Sequence, residues 1–166
     1  MSEPSRTSPH AQPVSRKIAA PASAVWAVIA DGWTFSSWVV GTARIRAVDS
    51  AWPRPGSRIH HSFGTWPLLL NDQTHVVREE TGRLLELTAR GWPAGEARVQ
   101  IEIRPEGDRC TVLLGEDAVS GPGALVPPVV RQPLIGLRNR ETLRRLAMLA
   151  EGKGRPTRVR GPVGMR

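Results

Sequence analysis

The 166-residue sequence predicts an α+β domain: a curved antiparallel sheet wrapped around one long C-terminal helix. Three observations carry this prediction. A strand-like run, a proline-started apolar helix and an aromatic segment fill residues 14–40. Alternating β-type segments separated by tight turns follow, and helix formers dominate from 134 to 150. Strands joined by short turns favour an antiparallel meander, and a helix with one apolar face needs a surface to bury it against.

Residues 14–20 read as the first strand. Pro21 marks a helix start, because proline in a first turn loses no hydrogen bond and presets φ. Val25, Val28 and Ile29, with Trp26 beside them, form an i, i+3, i+4 stripe, and Asp31-Gly32 ends the helix. Residues 33–39, holding Trp33, Phe35 and Trp38, are long enough for one or two turns. Ala43, Ile45 and Ala47 alternate with Arg44 and Arg46, as in a half-buried strand. Pro53, Pro55 and Gly56 make a turn, and 58–66 and 70–78 are two further strands joined near Pro67.

Leu85, Leu87 and Ala89 alternate with Glu86, Thr88 and Arg90, after which residues 91–95 turn the chain. The clearest alternation sets Ala97, Val99, Ile101 and Ile103 inward against Arg98, Gln100, Glu102 and Arg104. Glu106-Gly107-Asp108 is a hairpin turn, and Cys110, Val112, Leu114, Glu116 and Ala118 share one face of the last strand. Four prolines make 120–133 a loop or a broken helix. In the final helix Ile135, Asn139, Thr142, Leu146 and Leu149 line one face with Leu143 and Ala147 beside them. Arg138, Arg140, Glu141, Arg144 and Arg145 mostly point elsewhere, and Gly152 suits a C-cap.

Length and a 40% hydrophobic content fit one domain with a real core, expected over 13–151. Residues 1–12 lack an apolar h-region and read as a disordered lead, and no apolar run approaches the roughly 18 residues of a membrane span. A lone Cys110 excludes an internal disulfide, so a cytoplasmic location is expected. The net charge of +8 is concentrated in 152–166, where Lys153, Arg155, Arg158, Arg160 and Arg166 stand without an acidic residue. That segment reads as a basic disordered tail, and nucleic acid is not the expected partner.

The element order resembles the START-like superfamily, also called Bet v 1-like or SRPBCC, and within it the bacterial polyketide cyclase/dehydrase group. Four segments carry the resemblance: IAAPASAVWAVIADGWTFSSWV; GSRIHHSFGTWPLLLND; ARGWPAGEARVQIEIRPEG; and EDAVSGPG leading to RNRETLRRLAMLAEG. The resemblance implies a helix-grip fold, a seven-stranded antiparallel sheet curled around the last helix with an apolar cavity between them. Its members include carriers of hydrophobic ligands and aromatase/cyclases acting on polyketides. These are fold-level patterns with no invariant catalytic motif, so they imply a container before a reaction.

Alternation also selects candidate site residues. Ile59 and Phe63 put His61 on the inner face of its strand; Thr74 and Val76, if inward, bring Asp72 with them and turn His75 out; Val112 and Leu114 carry Glu116 inward. Asn139 interrupts the apolar stripe of the last helix. His61 and Glu116 are the candidate acid/base pair, with Asn139 to hold a carbonyl oxygen. Trp33, Phe35, Trp38, Phe63, Asp72 and Asn139 are the candidate ligand contacts, and the aromatics among 33–38 are expected at the cavity rim. Trp66 and Trp92 fit packing at sheet ends.

Of His60, His61 and His75 at most two can share a face, and no positioned base accompanies Cys110, so neither a metal site nor a thiol nucleophile is expected. No phosphate-binding glycine loop and no cofactor motif occurs. The leading expectation is therefore a binder of a small hydrophobic, lipid- or polyketide-like molecule. A polyketide cyclase or dehydratase using general acid/base residues is the alternative. A non-enzymatic partner or nucleic-acid contact through the basic tail is the third.

Overall fold

The computed structural model describes residues 12–65, 67–91 and 95–153. Strand β1 (Val14–Ile18) leads into α1 (Ala22–Ile29), a 3-10 turn (Gly32–Thr34) and α2 (Phe35–Trp38). Six strands follow: β2 (Thr42–Val48), β3 (Arg58–Thr65), β4 (Leu68–Glu80), β5 (Leu84–Gly91), β6 (Gly95–Glu106) and β7 (Arg109–Ser120). A short α3 (Pro122–Leu125) and a long α4 (Pro128–Lys153) close the domain. All pairings are antiparallel, in the order β1-β7-β6-β5-β4-β3-β2. Strands β1 and β2 are neighbours in sequence yet form opposite edges, because α1 and α2 carry the chain between them. This is the expected helix-grip fold.

Binary patterning explains most elements. Ile101 and Ile103 on β6, and Cys110, Val112 and Leu114 on β7, alternate into the core. Leu143, Leu146, Ala147 and Ala150 of α4 close it from the other side, with Val25, Val28 and Ile29 of α1 packed into the same cluster. Pro21 caps α1 in an extended conformation, as its place in the sequence requires. Asp31 accepts a hydrogen bond from the Trp33 amide at 3.1 Å and so begins the 3-10 turn rather than only ending α1. Gly32 is fixed by space: a Cβ there would lie 2.6 Å from Val48 Cγ1.

Three features differ from the sequence expectation. In β2 register shifts between Thr42 and Arg44 and between Ile45 and Ala47 reset the alternation. Thr42, Ile45 and Val48 are therefore the half-buried positions, while Ala43 and Ala47 are exposed. The last helix starts at Pro128, not 134, and runs through Pro133. Proline there removes one amide near the start of a long helix and leaves the rest of it intact. The helix also continues past Gly152 to Lys153, with Glu151 Oε1 accepting the Ala19 amide at 3.0 Å and tying the last turns to the end of β1. The lead up to residue 11, Trp66, the 92–94 part of the turn with Trp92, and the basic tail from 154 lie outside the described residues.

Candidate functional site

The concave face of the sheet does not meet α4 along its whole length. Toward one end the two diverge and enclose a cavity of about 570 Å³. Its deeper wall is apolar, built from Leu87, Val99, Ile101 and Leu114 of the sheet with Phe35 and Trp38. It opens where β5 ends, β6 begins and β7 ends, beneath the N-terminal half of α4, with Arg90, Glu96, Ala118, Val126, Arg131 and Leu134 around it.

His61 lies on the cavity wall and is buried. Its Nε2 lies 2.9 Å from Thr74 Oγ1, a contact in which either group donates according to the tautomer. Its Nδ1 has no hydrogen-bond partner. Phe35 stacks on the imidazole with centroids 6.0 Å apart, and meets Trp38 (5.3 Å) and Trp52 (6.3 Å) edge to face. Burial lowers the His61 pKa below its ordinary 6.5; the Asp72 charge opposes this, and Arg46 and His60 add to it. The ring is accordingly neutral at pH 7. The Trp38 indole N–H is likewise buried without a partner.

Glu116 does line the cavity, but its carboxylate is ion-paired with the Arg138 guanidinium. Arg138 also donates to Asn139 Oδ1 at 3.4 Å. Next to this pair Asp117 Oδ1 accepts from Arg131 at 2.9 Å, and across the opening Arg90 pairs with Glu96 at 2.7 Å. The carboxylates on β7 thus hold the N-terminal half of α4 over the cavity through its arginines. Deeper in, Thr142 Oγ1 accepts the Val40 amide at 3.2 Å and fixes the end of α2 to α4.

The candidate residues separate into groups. Phe35, Trp38, His61, Phe63, Glu116 and Asn139 all line the cavity. His61 and Glu116 share no hydrogen bond: His61 is bound to Thr74 and Glu116 to Arg138. Asp72 faces His61 in the β3–β4 register and acts on it through charge, yet stands outside the lining; its Oδ1 accepts the Gln73 amide at 2.7 Å. Trp33 is 61% exposed and also outside the lining. Phe35 and Trp38 belong to the continuous core, so they form wall rather than the expected rim. Arg131 and Arg138, expected in a loop and on an outward face, are rim residues instead. Their spacing of seven is a helical signal on one face, visible once the helix is extended back to Pro128.

Among the described residues no three His, Cys, Asp or Glu side chains gather as a metal set. No described helix is long and apolar enough to cross a membrane. No curated protein matches the chain in sequence. Solved structures share its fold at low identity. The Zhui aromatase/cyclase from Streptomyces sp. R1128 is 16% identical with TM-score 0.63, the match covering 88% of this chain and 97% of that one. The di-domain ARO/CYC StfQ from the steffimycin biosynthetic pathway is 10% identical with TM-score 0.69, covering 87% of this chain and 51% of that one. Protein CV1439 from Chromobacterium violaceum is 18% identical with TM-score 0.65, covering 86% and 99%. The family model described as polyketide cyclase / dehydrase and lipid transport matches residues 13–151, and the chain belongs to that family.

Proposed function

We propose that this protein binds one small, largely apolar molecule in the cavity between its sheet and α4. The observation that carries this reading is the lining: a space of about 570 Å³ walled mainly by aliphatic and aromatic side chains, whose charged rim groups are already paired with one another. Such a wall offers an apolar ligand desolvation and little else. Burying about 300 Å² of ligand surface at about 25 cal/mol per Å² gives on the order of 7 kcal/mol, against which the cost of association is set. The paired rim discourages a second charged group from lodging there, since it would have to displace an existing partner.

A cyclase or dehydratase reading draws support from His61. It is a neutral imidazole on the cavity wall with an unpartnered Nδ1, which accepts a proton from a bound substrate when Nε2 carries the ring hydrogen and donates to Thr74. Glu116 is less available, because Arg138 holds its carboxylate. Native mass spectrometry of gently isolated protein tests both readings. Carriage predicts a bound apolar mass that is released by denaturation and recovered chemically unchanged. A change in that mass on incubation, lost in His61→Ala, supports the enzyme. Protein that carries no ligand and takes up none from a panel of apolar compounds contradicts both.

A further inference from the structure

The charges at the cavity rim are satisfied in pairs, but the α4 wall behind them keeps hydrogen-bond donors that the protein does not use. Asn139 and Thr142 both line the cavity and are only 3% and 4% exposed. They share a helix face with the apolar Ile135 and Leu146, and a spacing of three makes them neighbours on it. Asn139 Oδ1 accepts from Arg138 Nη2 at 3.4 Å, and the same nitrogen pairs with Glu116 Oε2. A guanidinium carries donors only, so the amide oxygen must face it and the amide NH2 must face away. That NH2 donates to no protein group among the described residues. Thr142 Oγ1 accepts the Val40 amide at 3.2 Å, which leaves its own hydrogen without an acceptor among the described residues.

A buried donor without an acceptor costs free energy, and two side by side match the two lone pairs of one carbonyl oxygen. An anion is a poorer match, because Glu116 already neutralises Arg138 and its carboxylate repels a second one on the same wall. A group that can only donate is no better served, since Glu116 Oε2 and Asn139 Oδ1 both face Arg138. We propose that Asn139 and Thr142 form a two-donor site for the oxygen of a neutral carbonyl group on an otherwise apolar ligand. Arg138, held by Glu116, is the positioning residue that turns the NH2 of Asn139, rather than its oxygen, toward the cavity. This deepens the ligand-binding reading and rests on it. It gives Glu116 a part other than proton transfer.

Competition against N-phenyl-1-naphthylamine tests the site with two rigid probes of nearly the same shape, fluorene and fluorenone. An apolar wall alone prefers fluorene, because a carbonyl buried without a donor is costly. The two-donor site instead predicts that the wild type binds fluorenone about tenfold more tightly than fluorene. Asn139→Leu should abolish that preference, with Asn139→Ala in its place if the larger side chain prevents folding as judged by circular dichroism. Arg138→Met should abolish it too, since Asn139 remains but nothing turns its amide, and Arg138→Lys, which keeps a donor, should restore most of it. The infrared carbonyl stretch of bound fluorenone should lie lower in the wild type than in the Asn139 variant, a shift that a merely structural role does not produce. Fluorene bound by the wild type as tightly as fluorenone overturns the proposal and leaves the ligand-binding reading standing. Uptake of none of the three compounds overturns both. A preference that survives loss of Asn139 overturns the donor assignment, and one lost there but kept in Arg138→Met overturns the positioning role. Fluorene carboxylate bound as tightly as fluorenone also overturns the proposal, assigning the wall to an anion held by Arg138.

Discussion

His61 gathers the chemistry of this site into one side chain. Its ring is held by Thr74 on one edge, stacked by Phe35 on its face and left with an unpartnered Nδ1. Burial keeps it neutral in the fold, whereas in the unfolded chain it protonates near its ordinary value. Below pH 6.5 the unfolded state therefore binds more protons than the folded state, and stability falls as the pH drops from 6.5 toward the lower folded value. Urea midpoints compared between pH 7.5 and 5 should decline more for the wild type than for His61→Gln; equal declines would contradict this account. The inward placement of His61 was legible, because Ile59 and Phe63 bracket it at a spacing of two. The hold of Arg138 on Glu116 was not, since alternation along a strand carries no information about which helical side chain arrives opposite. Asp72 illustrates a related limit. Parity placed it on the inner side, between Leu70 and Thr74, which both line the cavity, but parity does not say where a carboxylate finds its partner, and Asp72 Oδ1 accepts the Gln73 amide.

At the scale of elements, α4 does two jobs with its two halves. The C-terminal half is a core element: Leu143, Leu146, Ala147 and Ala150 are buried against the sheet and α1. The N-terminal half covers the cavity and is tied to β7 by the Arg131–Asp117 and Arg138–Glu116 pairs. Removing buried methyl groups from the core half should therefore be costly. Leu146→Ala is expected to lower the unfolding free energy by about 2–5 kcal/mol in denaturant titration, and a loss below about 1 kcal/mol would contradict the assignment. The core half was readable from a period of 3.6 residues. The covering half was masked by Pro127, Pro128 and Pro133, which argue for a break, although Pro128 begins the helix and Pro133 sits within its early turns. Strand β2 was misread in phase for a different reason. Bulges at its two register shifts displace the side chains, and nothing in the residue types of 42–48 announces a bulge.

For the molecule as a whole, the central claim is that sheet and helix hold a space fit for an apolar ligand. The strand order and the long helix were legible from patterning, and the family follows from the match over 13–151. The cavity itself was an implication of resemblance, because its volume depends on how far α4 stands off the sheet. Ala97 offers a way to occupy that space: it lies on β6, lines the cavity and is half-buried. Ala97→Trp should fill part of the cavity from one wall. The direct measurement is a titration of N-phenyl-1-naphthylamine into wild type and Ala97→Trp, followed by fluorescence, with circular dichroism to check that both are folded. The account predicts saturable uptake by the wild type and at least tenfold weaker uptake by the folded variant. No uptake by the wild type, or equal uptake by both, would contradict it.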